Sequence, residues 1–366
     1  MELAEIIKQK IKTEGPISFH DFMEMSLYYP GSGYYTSAKE KIGAHGDYYT
    51  SSSLTPIYGA MIGRQLEEMW HILGEQEFTI VEYGAGTGML CCDILEYLKQ
   101  NERFYNKLQY CIIEKSPAMR DKEKGKVNEK VYWADSIHDI PDVTGCILSN
   151  ELIDNFSVHQ VVMGDELNEV FVDYNNDFVE LLQPASQPLK NYFSELNINL
   201  PYGYRTEINL EAINWIGGIA TELKKGFIIT IDYGLTSSEL YHESRKQGTL
   251  LCYNKHNINN CPYSYIGQQD ITAHVNFSAL QHWGAKNGLN NCGYTNQALF
   301  LLSLGVTDHL KRNMEHQLYD FNNFRKEAFL KHTLLVDMGN KFKVLIQGKG
   351  IPQKSLKGLE MPYLCA

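Results

Sequence analysis

Residues 78–90 read FTIVEYGAGTGML. The run FTIVEY is short, continuously apolar and rich in β-branched residues, the pattern of a strand buried on both faces. Gly84, Gly86 and Gly88 follow, and from Met89 the chain reads as a helix. Such a turn lets a ligand approach the backbone closely and offers it the free N–H groups and positive partial charge of a helix N-terminus. Two ligand classes use it. A dinucleotide site needs G-x-G-x-x-G with an acid about 20 residues on. Here the third glycine comes one residue early, and a carboxylate, Glu82, precedes the first. S-adenosylmethionine has no pyrophosphate. Its ammonium wants a carboxylate near the turn, where Glu82 stands. Its ribose diol wants a bidentate acceptor at the end of the second strand, where Glu114 stands, and its adenine edge wants a polar group after the third, where Asp135 and Ser136 stand. Open α/β sheets bind ligands across these carboxyl ends.

Outward from the turn, LQYCIIE (108–114), VYWAD (131–135), GCILSN (145–150) and KGFIITIDYG (225–234) read as further core strands. Their alternation with helices predicts an α/β fold, a Rossmann-like parallel sheet with right-handed crossovers. Residues 158–182 change texture and predict an inserted antiparallel meander, with turns at Gly164-Asp165 and Asn175–Asp177. Upstream, 2–13 predicts a helix, Ser18 caps a second, and 56–73 predicts a third, after Tyr-rich segments at 28–36 and 46–53. Downstream, helices are predicted near 297–303 and 316–335, and KFKVLIQGKG (341–350) as an edge strand. The expected division is an N-terminal helical and aromatic-loop segment, 1–74, covering the active site, and a core, 75–366, with insertions at about 158–207 and 235–290.

The 366 residues carry 33 Lys+Arg against 44 Asp+Glu, a net charge of −11. That balance argues against nucleic acid as a partner, since phosphate-backbone binding needs dense Lys and Arg. None of the 8 cysteines forms a C-x-x-C pair, and no Cys/His cluster has zinc spacing, so no metal is expected. The longest apolar stretch, near 298–306, is far short of a bilayer span, and no membrane insertion is expected. The N-terminus MELAEIIKQKIK lacks the apolar core of a signal peptide. The expected setting is the cytoplasm, with reduced thiols, and a bacterial source.

Several blocks go beyond a generic nucleotide fold: GPISFHDFMEMSLYYPGSGYY (15–35), GDYYTS (46–51), VEYGAGTG (81–88), SNELIDNFSVHQ (149–160), IDYG (231–234), GTLLCY (248–253) and GQQDITAHVNFSAL (267–280). In these the chain resembles the MidA family of S-adenosylmethionine-dependent methyltransferases, which includes a mitochondrial complex I assembly factor that methylates an arginine. The resemblance runs over most of the chain. It implies a methyltransferase core with a mostly parallel seven-stranded sheet, S-adenosyl-L-methionine as cofactor, and an arginine-containing protein segment as substrate. The chain departs from the family's habits at the turn, where G-A-G-T-G replaces G-P-G-R-G, at Asn276 in place of Asp, and at Ser157 in place of Pro.

Methyl transfer is an in-line displacement, and the enzyme mainly positions the nucleophile and excludes water. A guanidinium is charged and a poor nucleophile; carboxylates can hold its planar fork. Asn150 and Glu151 follow the fourth strand, where the acceptor of such folds meets the methyl group. Glu151 is assigned to orienting the guanidinium, Asp154 to a second contact, and His159 to removing the proton after transfer, while Asn150 lies beside the cofactor. The plainer alternatives are a turn residue, a helix-start acid and a cap. Thr50 and Ser51, with Asp47, are expected to fold over the cofactor, with Tyr34, Tyr35, Tyr48 and Tyr49 as walls. Asp270 with Thr272 can cap a helix, and His274 reads as a core histidine. A methyltransferase of another acceptor and a non-catalytic cofactor-binding assembly factor stay open.

Overall fold

The computed structural model describes residues 2–37, 41, 50–127, 130–255, 257–309, 328–352 and 354–361. They form two compact units, one of residues 49–152, 217–233 and 284–366, the other of residues 1–48, 153–216 and 234–283. The division does not fall at 74/75: the helix Pro56–Ile72 belongs with the glycine turn, while the first helices join the meander.

Among the described residues the first unit contributes seven strands in line to a sheet that Val275–Asn276 extends to eight by pairing parallel with Gly234-Leu235. Its strands are β1 (Phe78–Tyr83), β2 (Leu108–Ile113), β3 (Val131–Ala134), β4 (Val143–Asn150), β5 (Leu223–Leu235), β6 (Asn290–Asn296) and β7 (Phe342–Lys349). The order across the sheet is β3-β2-β1-β4-β5-β7-β6. The five strands from β3 to β5 run parallel, and β7 runs antiparallel to both neighbours. The order reverses between β1 and β4, so the carboxyl ends of these two strands flank the crevice in which such sheets take ligands. The parallel strands read as apolar runs because helices cover both faces. Met61, Leu66, Met69 and Trp70 of Pro56–Ile72 pack into the same core as Ile80, Tyr110, Leu148 and Ile229.

Two expectations change here. KFKVLIQGKG is not at the edge: β7 pairs with β5 through Gly226↔Lys349 to Tyr233↔Phe342 and with β6 on its other side. The edge is β6, whose sequence NNCGYTN has no apolar alternation and whose residues are at most half-buried. Of the predicted 316–335 helix, 316–327 lie outside the described residues; 328–341 is helical, with a π-turn at Thr333–Asp337.

The second unit holds the predicted meander. His159–Met163, Leu167–Asn175 and Asp177–Pro184 are antiparallel neighbours, joined by Ile17-Ser18 and Arg205–Ile208. The helix Phe19–Tyr28 is capped by Ser18, whose side chain accepts from Asp21 N. Phe19, Phe22, Leu27 and Tyr34 are buried with Val170 and Val172, so Tyr34 is a core residue of this unit. Asp270–Thr272 is a strand of a small three-stranded sheet and caps no helix. Among the described residues no helix is long and apolar enough to cross a membrane.

Candidate active site

The site grows from the carboxyl ends of β1, β2 and β4. Gly84, Gly86 and Gly88 have φ of 65°, 59° and 73°. The left-handed region is open to glycine at little cost, and three such residues bend the chain from β1 into the helix Met89–Leu98, with Gly88 as its N-cap.

Glu82 is 2% exposed, and Tyr110 Oη donates to its Oε2 at 2.7 Å. Burial pushes this carboxyl up to about 7 against the Tyr110 hydrogen bond, and Glu114 adds to the rise. Glu114 ends β2 with 9% exposure. Ser116 N donates to its Oε1 at 2.7 Å, and the amides of Gly86 and Lys115 also stabilise its charge. Burial nevertheless raises it. The glycine turn and the two strand-end acids thus form one cluster.

A third carboxyl escaped the sequence reading. Glu123, in the charged-looking helix Pro117–Lys124, is fully buried, and Trp133 Nε1 donates to its Oε2 at 2.8 Å. Its Oε1 meets no partner among the described residues. Burial pushes Glu123 up to about 8, with Trp133 opposing and Glu114 and Glu82 adding. The missed signal for Tyr110 was register: Ile80↔Tyr110 and Glu82↔Ile112 put Tyr110 diagonal to Glu82 on one face.

Asp135 stands apart, its side chain 84% exposed and paired with Arg120 Nη1 at 2.9 Å. Ser136 is engaged as a cap: its Oγ accepts from His138 N, and its own N donates to Asp139 Oδ2.

At the end of β4, Asn150 Oδ1 accepts from Tyr58 Oη at 2.6 Å, and Asn150 Nδ2 donates to Glu151 Oε1 at 3.2 Å. Glu151 has φ of 54°, uncommon for a residue with a Cβ; its amide donates to Ile231 O at 2.9 Å. Its Oε1 also accepts from Ser51 N at 2.9 Å. Burial pushes Glu151 up to about 8, opposed by the Ser51 amide and increased by Asp232. Asp232 is buried and accepts from Leu152 N and Tyr233 N. Leu152 meets the glycine turn: its Cδ1 lies 2.8 Å from where a Cβ on Gly84 would sit. The loop carrying Glu151 therefore touches the turn. Thr50 caps the short helix Ser51–Leu54 through Ser53, and Ser51 Oγ donates to Gln297 Oε1. Asp47, Tyr48 and Tyr49 lie outside the described residues.

Asp154 and His159 belong to the second unit. Asp154, 5% exposed, accepts from Asn155 Nδ2 at 3.0 Å. His159 Nδ1 lies 2.6 Å from Glu169 Oε1, and its ring stacks on His20 at 4.6 Å. Asp270 accepts from Tyr35 Oη at 2.9 Å. His274 is pushed down to about 4 by burial and by Arg245, which suits a neutral core histidine.

A family model described as "Putative S-adenosyl-L-methionine-dependent methyltransferase" matches residues 61–295. The chain belongs to this family. A Burkholderia thailandensis protein of known structure, solved with S-adenosyl-homocysteine bound, is 30% identical with a TM-score of 0.87, over 97% of this chain and 94% of that one. The protein named "Protein arginine methyltransferase NDUFAF7 homolog, mitochondrial" from Drosophila melanogaster is 26% identical, over 95% of this chain and 85% of its own length. The Mus musculus "Protein arginine methyltransferase NDUFAF7, mitochondrial" is 28% identical, over 82% and 74%. The chain is an S-adenosylmethionine-dependent methyltransferase with a Rossmann-like fold. The site fits that cofactor by its own chemistry: a left-handed glycine turn whose Gly86 amide supports Glu114, and buried carboxyls at the strand ends that a cationic ligand would hold ionised.

Proposed function

We propose that the methyl acceptor is an arginine side chain of a protein. The observation that carries this reading is Glu151: a carboxyl at the end of β4, set by a left-handed backbone and pinned by the Ser51 amide. The names of the NDUFAF7 relatives support the same acceptor.

In this reading Glu114 accepts the ribose hydroxyls, Glu82 faces the ammonium, Asp135 and Ser136 lie at the adenine edge, and Asn150, Thr50 and Ser51 line the cofactor's reactive side. The cofactor supplies a methyl group on a sulfonium, open to attack by a nitrogen lone pair. Glu151 accepts from the guanidinium N–H groups and localises a lone pair on the attacking nitrogen. Guanidinium charge draws the Glu151 proton off, since a nearby cation favours the carboxylate. No strong base is required when the guanidinium proton leaves late, after transfer. A cytoplasmic setting belongs to the same proposal; it is supported by seven free cysteines among the described residues, four of them buried.

The test is incubation with cell proteins and S-adenosylmethionine bearing a 13C-methyl group, followed by mass spectrometry. Labelled methylarginine is expected with the native chain and not with Glu151→Gln. Label only on other side chains or on small molecules refutes the arginine reading.

A further inference from the structure

The second unit holds a cleft of about 590 Å³ that the proposed reaction does not use. Its walls are aromatic: Tyr174, Phe178, Tyr263 and Tyr265. Phe178 stacks with Tyr263 at 6.4 Å and meets Tyr174 edge-on at 5.3 Å. Two carboxylates, Glu2 and Asp177, line the same cleft. Ring faces and carboxylates both attract cations. The chain already shows this chemistry, because Lys8 Nζ sits 4.7 Å from the centroid of Tyr174. That ammonium is matched by Glu5 Oε1 at 2.7 Å. Glu2 and Asp177 therefore leave the lining of the cleft negative among the described residues.

The cleft opens beside an unpaired strand edge. Asp177–Pro184 pairs with Leu167–Asn175 on one side and with no strand on its other side among the described residues. Val179, Leu181 and Leu182 on it are 37%, 40% and 54% exposed. A free strand edge of this kind takes an extended chain by main-chain hydrogen bonding, with alternate side chains setting specificity.

We infer that this cleft and strand edge together dock an extended, arginine-bearing segment of the protein substrate. The segment adds as a strand along Asp177–Pro184 and lays apolar side chains on Val179 and Leu181, which share one face by the two-residue period of a strand. An arginine enters between the rings toward Asp177 and Glu2. The same carboxylates repel a nucleic acid backbone. The inference rests on the protein-substrate reading above and gives that substrate a second point of attachment.

The test is fluorescence anisotropy on the full-length protein with a fluorescein-labelled decapeptide alternating valine and arginine; the neutral control carries citrulline in place of arginine. The arginine peptide is expected to bind about tenfold more tightly than the control, and Asp177→Lys and Tyr265→Ala each to weaken it about five- to tenfold, as loss of a cation–π or charge contact dictates. Both positions are exposed, so the variants keep the fold; calorimetry with S-adenosylhomocysteine is expected to give the native affinity. Equal affinity for the two peptides, or native affinity in both variants, overturns the docking site. Transfer of a 13C-methyl group is read separately. Binding that both variants weaken, with no methylarginine formed on any protein, keeps the docking site and sinks the arginine reading. Methylarginine formation with unchanged peptide binding in both variants does the reverse.

Discussion

Replacing Glu114 tests the cofactor geometry most directly. The carboxyl is 9% exposed and held by the Ser116 amide at 2.7 Å, so it is already oriented before any ligand arrives. In the proposed placement a ribose diol donates two O–H groups to it, and each hydrogen bond to a charged acceptor contributes about 1.5–3 kcal/mol. Glu114→Ala removes both, about 3–6 kcal/mol, which raises Kd by about 10²- to 10⁴-fold. Glu114→Gln keeps one carbonyl acceptor, turns an NH₂ toward the other hydroxyl, and costs about half as much. Isothermal titration with S-adenosylhomocysteine reads the change, and a thermal melt of each variant reads the fold. Because the pKa of Glu114 is raised, native affinity falls on acidification at a higher pH than for an ordinary carboxylate. A properly folded Glu114→Gln that binds within about threefold of native, far below the ~10-fold that one charged hydrogen bond implies, refutes the placement of the ribose.

Glu151→Gln should lower kcat by about 10²- to 10³-fold, the size of effect seen when one positioned polar group is lost. In the native enzyme kcat/KM on a methylated protein should fall tenfold per pH unit below about 8, where the acid is protonated and cannot match a guanidinium; a native profile flat across that range refutes the role. Glu123→Gln concerns stability. The folded carboxyl titrates at about 8 against 4.5 ordinarily, so the unfolded chain loses its proton first and native stability declines as pH rises from about 4.5 to about 8. The variant should therefore melt near native temperature at pH 4 and above it at pH 8, and an equal shift at both pH values contradicts the account. A Cβ on Gly145 would sit 2.1 Å from Thr79 O, at a φ of 149°. Gly145→Ala should therefore lose more than about 3 kcal/mol in urea unfolding, and a near-native midpoint denies the close approach of β4 and β1. Calorimetry at pH 6.5 in buffers of different ionisation enthalpy should count more protons released by S-adenosylmethionine than by S-adenosylhomocysteine, since only the former carries the sulfonium charge. Equal counts mean that the buried carboxyls do not sense it.

The parallel strands were legible because each is a continuous apolar run ending in a polar residue, and Glu82, Glu114 and Glu151 could be placed by standing at those ends. β6 was illegible: NNCGYTN is polar and half-exposed, and only its ladder with β7 makes it a strand. The interior position of β7 was masked by its lysines, although three consecutive buried residues, Val344, Leu345 and Ile346, mark a strand covered on both faces. Glu123 was hidden by its neighbours, since PAMRDKEK reads as a solvated helix until Trp133 and the helix packing bury one acid of it. Tyr58 and Gln297, which hold Asn150 and Ser51, come from helices far away in sequence, and no local pattern links them to β4.

The buried acids share one electrostatic property that bears on the proposed chemistry. Glu82 and Glu151 are pushed up to about 7 and about 8, each chiefly by burial. A carboxyl in that state is only partly ionised near neutral pH in the free chain, which lowers the cost of an unpaired buried charge. Opposite charge nearby restores the anion. Both ligands of the proposed reaction carry positive charge, one as a sulfonium nucleoside and one as a guanidinium. Each acid is thus partly charged while alone and more fully charged when a cation arrives beside it. In the proposed placement, methyl transfer removes the sulfonium charge but leaves the ammonium at Glu82 and the ribose hydroxyls at Glu114, so the switch in charge falls on the acceptor side: Glu151 is fully ionised only with a guanidinium beside it.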